Sequence, residues 1–109
     1  MTPNLRKTID ELVRLDRQRR AGGANSQQIP TILAGPDAVE TLLATLSAED
    51  FIYVKALMHY GRGDDFGHDA PFSKYLEWTT TNLNDGSVAY LAGKNLSEEL
   101  PAGLKKLGL

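Results

Sequence analysis

The stretch from Ser47 to Asp69 constrains the fold of this chain more than any other part of the sequence. It reads SAEDFIYVKALMHYGRGDDFGHD. Apolar side chains recur at helical spacing in two neighbouring stripes, Phe51, Val54 and Met58 in one and Tyr53, Leu57 and Tyr60 in the other. An apolar arc of that width needs neighbours on more than one side. We therefore expect a central helix over about residues 47–60.

Both ends of this helix carry sequence signals. Ser47 can accept a hydrogen bond from the backbone N–H groups of the first turn, and Glu49 and Asp50 suit the positive end of the helix dipole. Gly61 follows the last periodic residue, which is the usual place for a left-handed stop. The sequence predicts that the helix ends there and that a glycine-rich loop follows.

The rest of the chain predicts further helices and no sheet. The first begins near Pro3 with Thr2 as its cap, and a flexible connector is expected over residues 21–28. A short apolar segment at 29–33 precedes a helix that opens at 35–37, and its short link to the central helix favours an antiparallel pair. Later helices are expected from Pro71 with Asp69 as cap, over 87–93, and from Ser97. The predicted fold is all-α, a single small domain over 1–109 with five or six helices.

Composition narrows the classes of function. The chain has no cysteine, so neither a disulfide framework nor a thiolate zinc site is expected. No apolar run approaches the roughly 20 residues of a membrane span, and the polar N-terminus does not resemble a signal peptide, so we expect a cytoplasmic protein without a membrane partner. The net charge of −2 gives no reason to expect nucleic acid. For Arg14, Arg17, Arg19 and Arg20 we favour a solvated helix terminus over a phosphate-binding patch.

The loop after the central helix concentrates groups that can bind ligands. Candidate ligand-binding residues are Arg62, Asp64, Asp65 and His68, and candidate metal ligands are His59, Asp64, Asp65, His68 and Asp69. Their order matches no metal-binding signature, including that of the EF-hand. Paired charges, an aspartate cap and a solvated histidine explain the same residues structurally. We favour this structural interpretation and expect no cofactor, with a divalent metal ion as the alternative.

Three aromatic residues follow the loop. Phe72, Tyr75 and Trp78 can form an interface anchor, because aromatic side chains are enriched at interface hot spots. Core packing is the expected role for at least two of the three.

The segment Ala56-Leu57-Met58-His59-Tyr60-Gly61-Arg62-Gly63-Asp64 resembles the signature of a small bacterial family of uncharacterised domains, Leu-Met-x-x-Gly-Arg-Gly-Asp. The stretch 89–93 and the leucines that follow it are similar to the second part of that signature, so the resemblance covers about residues 47–107. The family has no assigned activity. The resemblance implies a bacterial cytoplasmic protein and transfers no mechanism.

These observations favour a non-enzymatic helical module that acts through protein contacts, including self-association as a homodimer. No catalytic residue is assigned. The alternative is divalent-metal or small-ligand binding at the Gly-Arg-Gly-Asp-Asp loop, where a metal-bound water can act as a hydrolytic nucleophile.

Overall fold

The computed structural model describes residues 1–21, 38–63, 66 and 70–109, and this part of the chain is helical with no strand. Six helices occur in it: α1 (Pro3–Ala21), α2 (Ala38–Ala44), α3 (Ala48–Arg62), α4 (Phe72–Thr81), α5 (Ser87–Ala92) and α6 (Leu96–Lys106). The all-α prediction is confirmed. None of these helices is long and apolar enough to cross a bilayer.

Helix α3 lies at the centre of the fold, as its two apolar stripes predict. It packs against α6 on one side and α4 on another. Val54, Ala56, Leu57 and Met58 are completely buried. The wide apolar arc of this helix is therefore covered by two neighbours, which is the arrangement that the sequence requires.

The two ends of α3 test the predicted signals separately. Ser47 is the N-cap, and its side chain accepts a hydrogen bond of 3.2 Å from the backbone N–H of Asp50, so this prediction is confirmed. The predicted stop at Gly61 is wrong. The helix continues to Arg62, and Gly63 adopts the left-handed conformation with φ of 75°, its N–H donating to the carbonyl of His59.

Gly61 is needed for a different reason, the close crossing of α3 and α6. A Cβ atom at Gly61 would overlap the carbonyl oxygen of Glu99, and one at Gly103 would lie 2.5 Å from the carbonyl oxygen of Leu57. Each helix therefore contributes one glycine that lets the other backbone approach. The sequence pattern alone does not distinguish such a packing glycine from a helix stop.

Helix α1 packs on α6 and α2, and Thr2 caps it by accepting from the N–H of Leu5 at 3.1 Å. The predicted antiparallel pairing of α2 with α3 is wrong, because α2 packs mainly against α5 and α1. The link between α2 and α3 is short, but α6 and α4 cover α3. Val39 and Leu43 of α2 are buried in the shared core.

The remaining boundaries differ slightly from the predicted ones. Helix α1 includes Ala21, the expected first residue of the connector, and α4 begins at Phe72 with Pro71 in the N-cap position. Helix α6 begins at Leu96, one residue before the predicted Ser97. The rest of the connector, the apolar segment 29–33, the expected helix start at 35–37 and Asp69 lie outside the described residues.

Candidate functional site

The basic end of α1 is bound to a buried carboxylate. Asp16 is fully buried and accepts hydrogen bonds from the Nε atoms of Arg19 (2.6 Å) and Arg20 (2.9 Å) and from the backbone N–H of Ser97 (2.7 Å). Arg19 also donates to the carbonyl of Ala92 at 2.7 Å. Burial alone raises the pKa of Asp16, but the hydrogen bonds from Arg20, Ser97 and Arg19 outweigh it and hold the pKa below its usual value.

These contacts give the two arginines a structural role. They join the C-terminal end of α1 to the corner between α5 and α6, while the side chains of Arg19 and Arg20 remain 27% and 45% exposed. The expected solvated terminus is therefore only partly observed, because both arginines are also ion-paired with Asp16. Arg14 pairs with Glu11 at 2.6 Å on the exposed face of the same helix.

Of the predicted loop ligands, the structure describes His59 and Arg62. Asp64, Asp65, His68 and Asp69 lie outside the described residues. Arg62 forms an ion pair with Glu99 of α6, its Nε atom 3.4 Å from Oε2. His59 is buried in α3, with 3% of its surface exposed. Across residues 1–21, 38–63, 66 and 70–109, no three histidine or carboxylate side chains converge in a metal-binding group.

A buried lysine lies beside His59. Lys55 is 5% exposed, and its Nζ atom lies 3.4 Å from His59 Nε2, one helical turn away. The histidine tautomer sets which of these two nitrogen atoms donates in this contact. The same ammonium lies 4.9 Å from the ring centroid of Trp78 and 5.2 Å from that of Tyr90. Cation–π attraction by two rings offsets part of the cost of burying this charge.

Two adjoining pockets open around these aromatic side chains. The first, of about 240 Å³, is lined by Lys55, Trp78, Asn82, Asn84, Gly86, Ser87 and Tyr90. The second, of about 460 Å³, is lined by Phe66, Ser73, Lys74, Glu77, Trp78, Thr81 and Asn82. Trp78 and Asn82 belong to both and form a ridge between them. We call the first the Lys55 pocket, and the two pockets with their ridge the Trp78 surface.

The three aromatic residues predicted as an interface anchor occupy different environments. Tyr75 is fully buried and Phe72 is half-buried between Tyr53 and Tyr60, with ring centroids 5.2 Å from each. Trp78 is 38% exposed. Phe72 and Tyr75 therefore pack against other aromatic rings, and Trp78 is the most exposed of the three.

Sequence reasoning missed Lys55 and the position of Tyr90 beside it. Lys55 stands in the middle of the most apolar helix, four residues before His59. A lysine at such a position must either extend to solvent or have a polar or aromatic environment built around it. A lysine within this apolar helix was therefore the sequence feature that could have indicated the site. The approach of Tyr90 from α5 depends on tertiary packing and has no counterpart in the local sequence.

Comparison of the chain with protein-family models, with curated proteins and with solved structures found no match. The function of this protein is therefore inferred from the site alone.

Proposed function

We propose that this protein is a non-enzymatic helical module that binds a partner protein through the Trp78 surface. The observation that supports the proposal is the ridge itself, where a large aromatic side chain, 38% exposed, stands between two adjoining pockets. Tryptophan and tyrosine next to pockets are typical anchors of protein interfaces. The bacterial cytoplasmic setting expected from the sequence remains part of this proposal.

Local hydrogen bonds hold the walls of this surface in place. Asn82 Nδ2 donates to the carbonyl of Trp78 at 2.8 Å, and Asn84 Nδ2 donates to the carbonyl of Asn82 at 3.3 Å. Asn84 Oδ1 in turn accepts from the N–H of Gly86 at 2.8 Å. A wall fixed in advance loses little conformational entropy when a partner binds, which favours recognition.

The charges around the surface favour a different protein as partner over a second copy. Among the described residues, Lys55, Lys74 and Lys94 lie at or beside the two pockets, and Glu77 is the acidic residue of the described lining. In a symmetric dimer the same surface would meet itself and oppose lysine with lysine. Self-association, including the homodimer expected from sequence, is therefore the competing outcome of the test.

The alternative of metal or small-ligand binding at the loop gains no further observation from the structure. Within the described part of the chain, His59 contacts Lys55 and Arg62 pairs with Glu99. The other predicted ligands lie outside it.

The proposal can be tested by placing a photo-crosslinking amino acid at Asn82 in the living cell, with Lys7 on the exposed face of α1 as control position. A crosslinked partner would then be purified and its affinity measured for Trp78→Ser and for Leu109→Ser, a matched change at another exposed apolar residue. We expect a loss of about 30-fold or more for Trp78→Ser, since hot-spot truncation costs about 2 kcal/mol or more, and little change for Leu109→Ser.

Three results would count against this function. The first is equal crosslinking at Asn82 and Lys7, and the second is equal affinity of Trp78→Ser and the wild type for the partner. The third is a crosslink to a second copy of this chain, together with sedimentation equilibrium showing that Trp78→Ser abolishes self-association.

A further inference from the structure

We propose that the larger pocket of the Trp78 surface receives an aromatic side chain from the bound partner. This inference rests on the proposed function and names the chemistry by which the surface recognises its partner. We call this pocket, of about 460 Å³, the Phe66 pocket. The observation that carries the inference is a series of edge-to-face rings that leads from the core to the wall of this pocket, where Phe66 and Trp78 line it.

Four rings make up this series. The ring centroid of Tyr75 lies 5.4 Å from that of Tyr60 and 4.9 Å from that of Phe66, and the centroids of Phe66 and Trp78 are 6.0 Å apart. The interplanar angles are 71°, 77° and 71°. Tyr75 is fully buried, Phe66 is half-buried and Trp78 is 38% exposed, so the series runs outward. A further ring in the pocket can pair with Phe66 and Trp78 in the same geometry, which aromatic side chains prefer.

Two polar side chains of the lining already donate hydrogen bonds to the backbone of α4. Thr81 Oγ1 donates to the carbonyl of Glu77 at 3.0 Å, and Asn82 Nδ2 donates to the carbonyl of Trp78 at 2.8 Å. An apolar guest therefore leaves neither of these donors unpaired, which would otherwise cost binding free energy. The ring surfaces of Phe66 and Trp78 meanwhile gain from being removed from water. The walls of the pocket favour an apolar guest.

The charged residues of the described lining have opposite signs. Lys74 and Glu77 stand three positions apart on α4, so they lie on neighbouring parts of the helix surface and their fields largely cancel in the pocket. Lys74 Nζ lies 5.5 Å from the centroid of the Phe66 ring. The pocket thus selects neither an anionic nor a cationic side chain. An aromatic guest is favoured over an aliphatic one of similar size, because edge-to-face ring pairs add to the free energy of burial.

The test uses two probes, N-acetyl-phenylalanine N-methylamide and its cyclohexylalanine counterpart, which has a saturated ring of similar size. Each is titrated into the full-length protein, and binding is followed by the ¹H–¹⁵N NMR shifts of Ser73, Lys74 and Thr81, which belong to the pocket lining. We expect the phenylalanine probe to bind about two- to tenfold more tightly, as the strength of aromatic pairs implies. Added salt should leave this preference unchanged, because it does not depend on charge.

Two variants locate the effect. Phe66→Leu removes one ring and keeps an apolar side chain, so it should reduce the preference for the phenylalanine probe by at least half. Phe72→Leu is the matched control and should retain the preference, because Phe72 packs between Tyr53 and Tyr60 and is not among the residues that line the pocket. Thermal melts establish that each variant is folded. If Phe66→Leu unfolds, Thr81→Arg narrows the pocket from an exposed position and should weaken binding of the phenylalanine probe.

Three results would overturn this inference: equal or tighter binding of the cyclohexylalanine probe, no shift of the lining residues at millimolar concentrations of either probe, or an unchanged preference in Phe66→Leu. Each of them leaves the crosslinking experiment at Asn82 unaffected, and a partner that requires Trp78 would then be recognised through other chemistry. Conversely, a partner that ignores Trp78→Ser would refute the proposed function even if the phenylalanine probe enters the Phe66 pocket, which would then be a site for free aromatic compounds.

Discussion

Replacing Gly61 by alanine should destabilise the protein even though alanine is the better helix former. On propensity alone the change favours the helix by about 1 kcal/mol. Against this, the new methyl group overlaps the carbonyl oxygen of Glu99 and lies 2.8 Å from the backbone nitrogen of Gly103. Both are backbone atoms of α6, which cannot rotate aside as a side chain can.

The methyl group therefore forces α3 and α6 apart and loosens the buried contacts along the crossing. Overpacking of this kind costs about 1–3 kcal/mol and occasionally more, and rigid backbone neighbours place this site at or above the upper end. After subtracting the gain in propensity, we expect a net loss of about 2–3 kcal/mol. For a domain near 100 residues that lowers the melting temperature by roughly 8–24 °C.

Thermal and urea unfolding followed by far-ultraviolet circular dichroism measures this loss. Gly93→Ala is the matched control, because its nearest atom, the carbonyl oxygen of Tyr90, would lie at an ordinary 3.6 Å and its φ is −83°. We expect the control to change the stability by less than about 0.5 kcal/mol. A Gly61→Ala protein that melts at or above the wild-type temperature would refute the close-crossing argument.

Two further changes test other contacts. Asp16→Asn should lower the free energy of unfolding in urea by about 2–3 kcal/mol. This is less than the roughly 3–5 kcal/mol for breaking a fully buried ion pair, because Arg20 is 45% exposed. The control Asp10→Asn, in an exposed ion pair, should change the free energy of unfolding little. Because the pKa of Asp16 is lowered in the folded protein, its carboxylate stabilises the fold at pH values above about 3.9, the pKa of an unfolded aspartate. That stabilisation is lost as the pH falls through the pKa of Asp16 in the folded protein. If the stability of Asp16→Asn fell with pH in parallel with that of the wild type, this explanation would be wrong. Ser47→Ala should lower stability by about 1 kcal/mol through loss of the N-cap, and an unchanged urea midpoint would argue against it.

The sequence was informative wherever a local pattern has one physical solution. The stripes of α3 could only be satisfied by burial on two sides, and Ser47 and Thr2 cap helices because their hydroxyls reach orphan N–H groups. Gly61 was misread because a glycine near a helix end suits both a stop and a close crossing, and the choice depends on where α6 lies.

The candidate site was predictable only in part. Trp78 was identified from its residue type, but its exposure depends on how α4 packs on α3. The Lys55 pocket is formed by side chains from α3, α4, α5 and the turn at 82–86, and no local periodicity brings these together. The helix partner of α2 was missed for the same reason.

The bond between Asp16 and Ser97 has a consequence for synthesis on the ribosome. The two residues are 81 positions apart, and helix α1 packs on α6, which is made long after it. At about 5–20 residues per second, α1 waits roughly 4–16 seconds for the segment that covers its apolar stripe. During that interval Leu5, Ile9 and Leu12, buried in the finished fold, lack their final neighbours. The packing of α1 against α6 therefore cannot be completed until the segment that contains Ser97 has been synthesised.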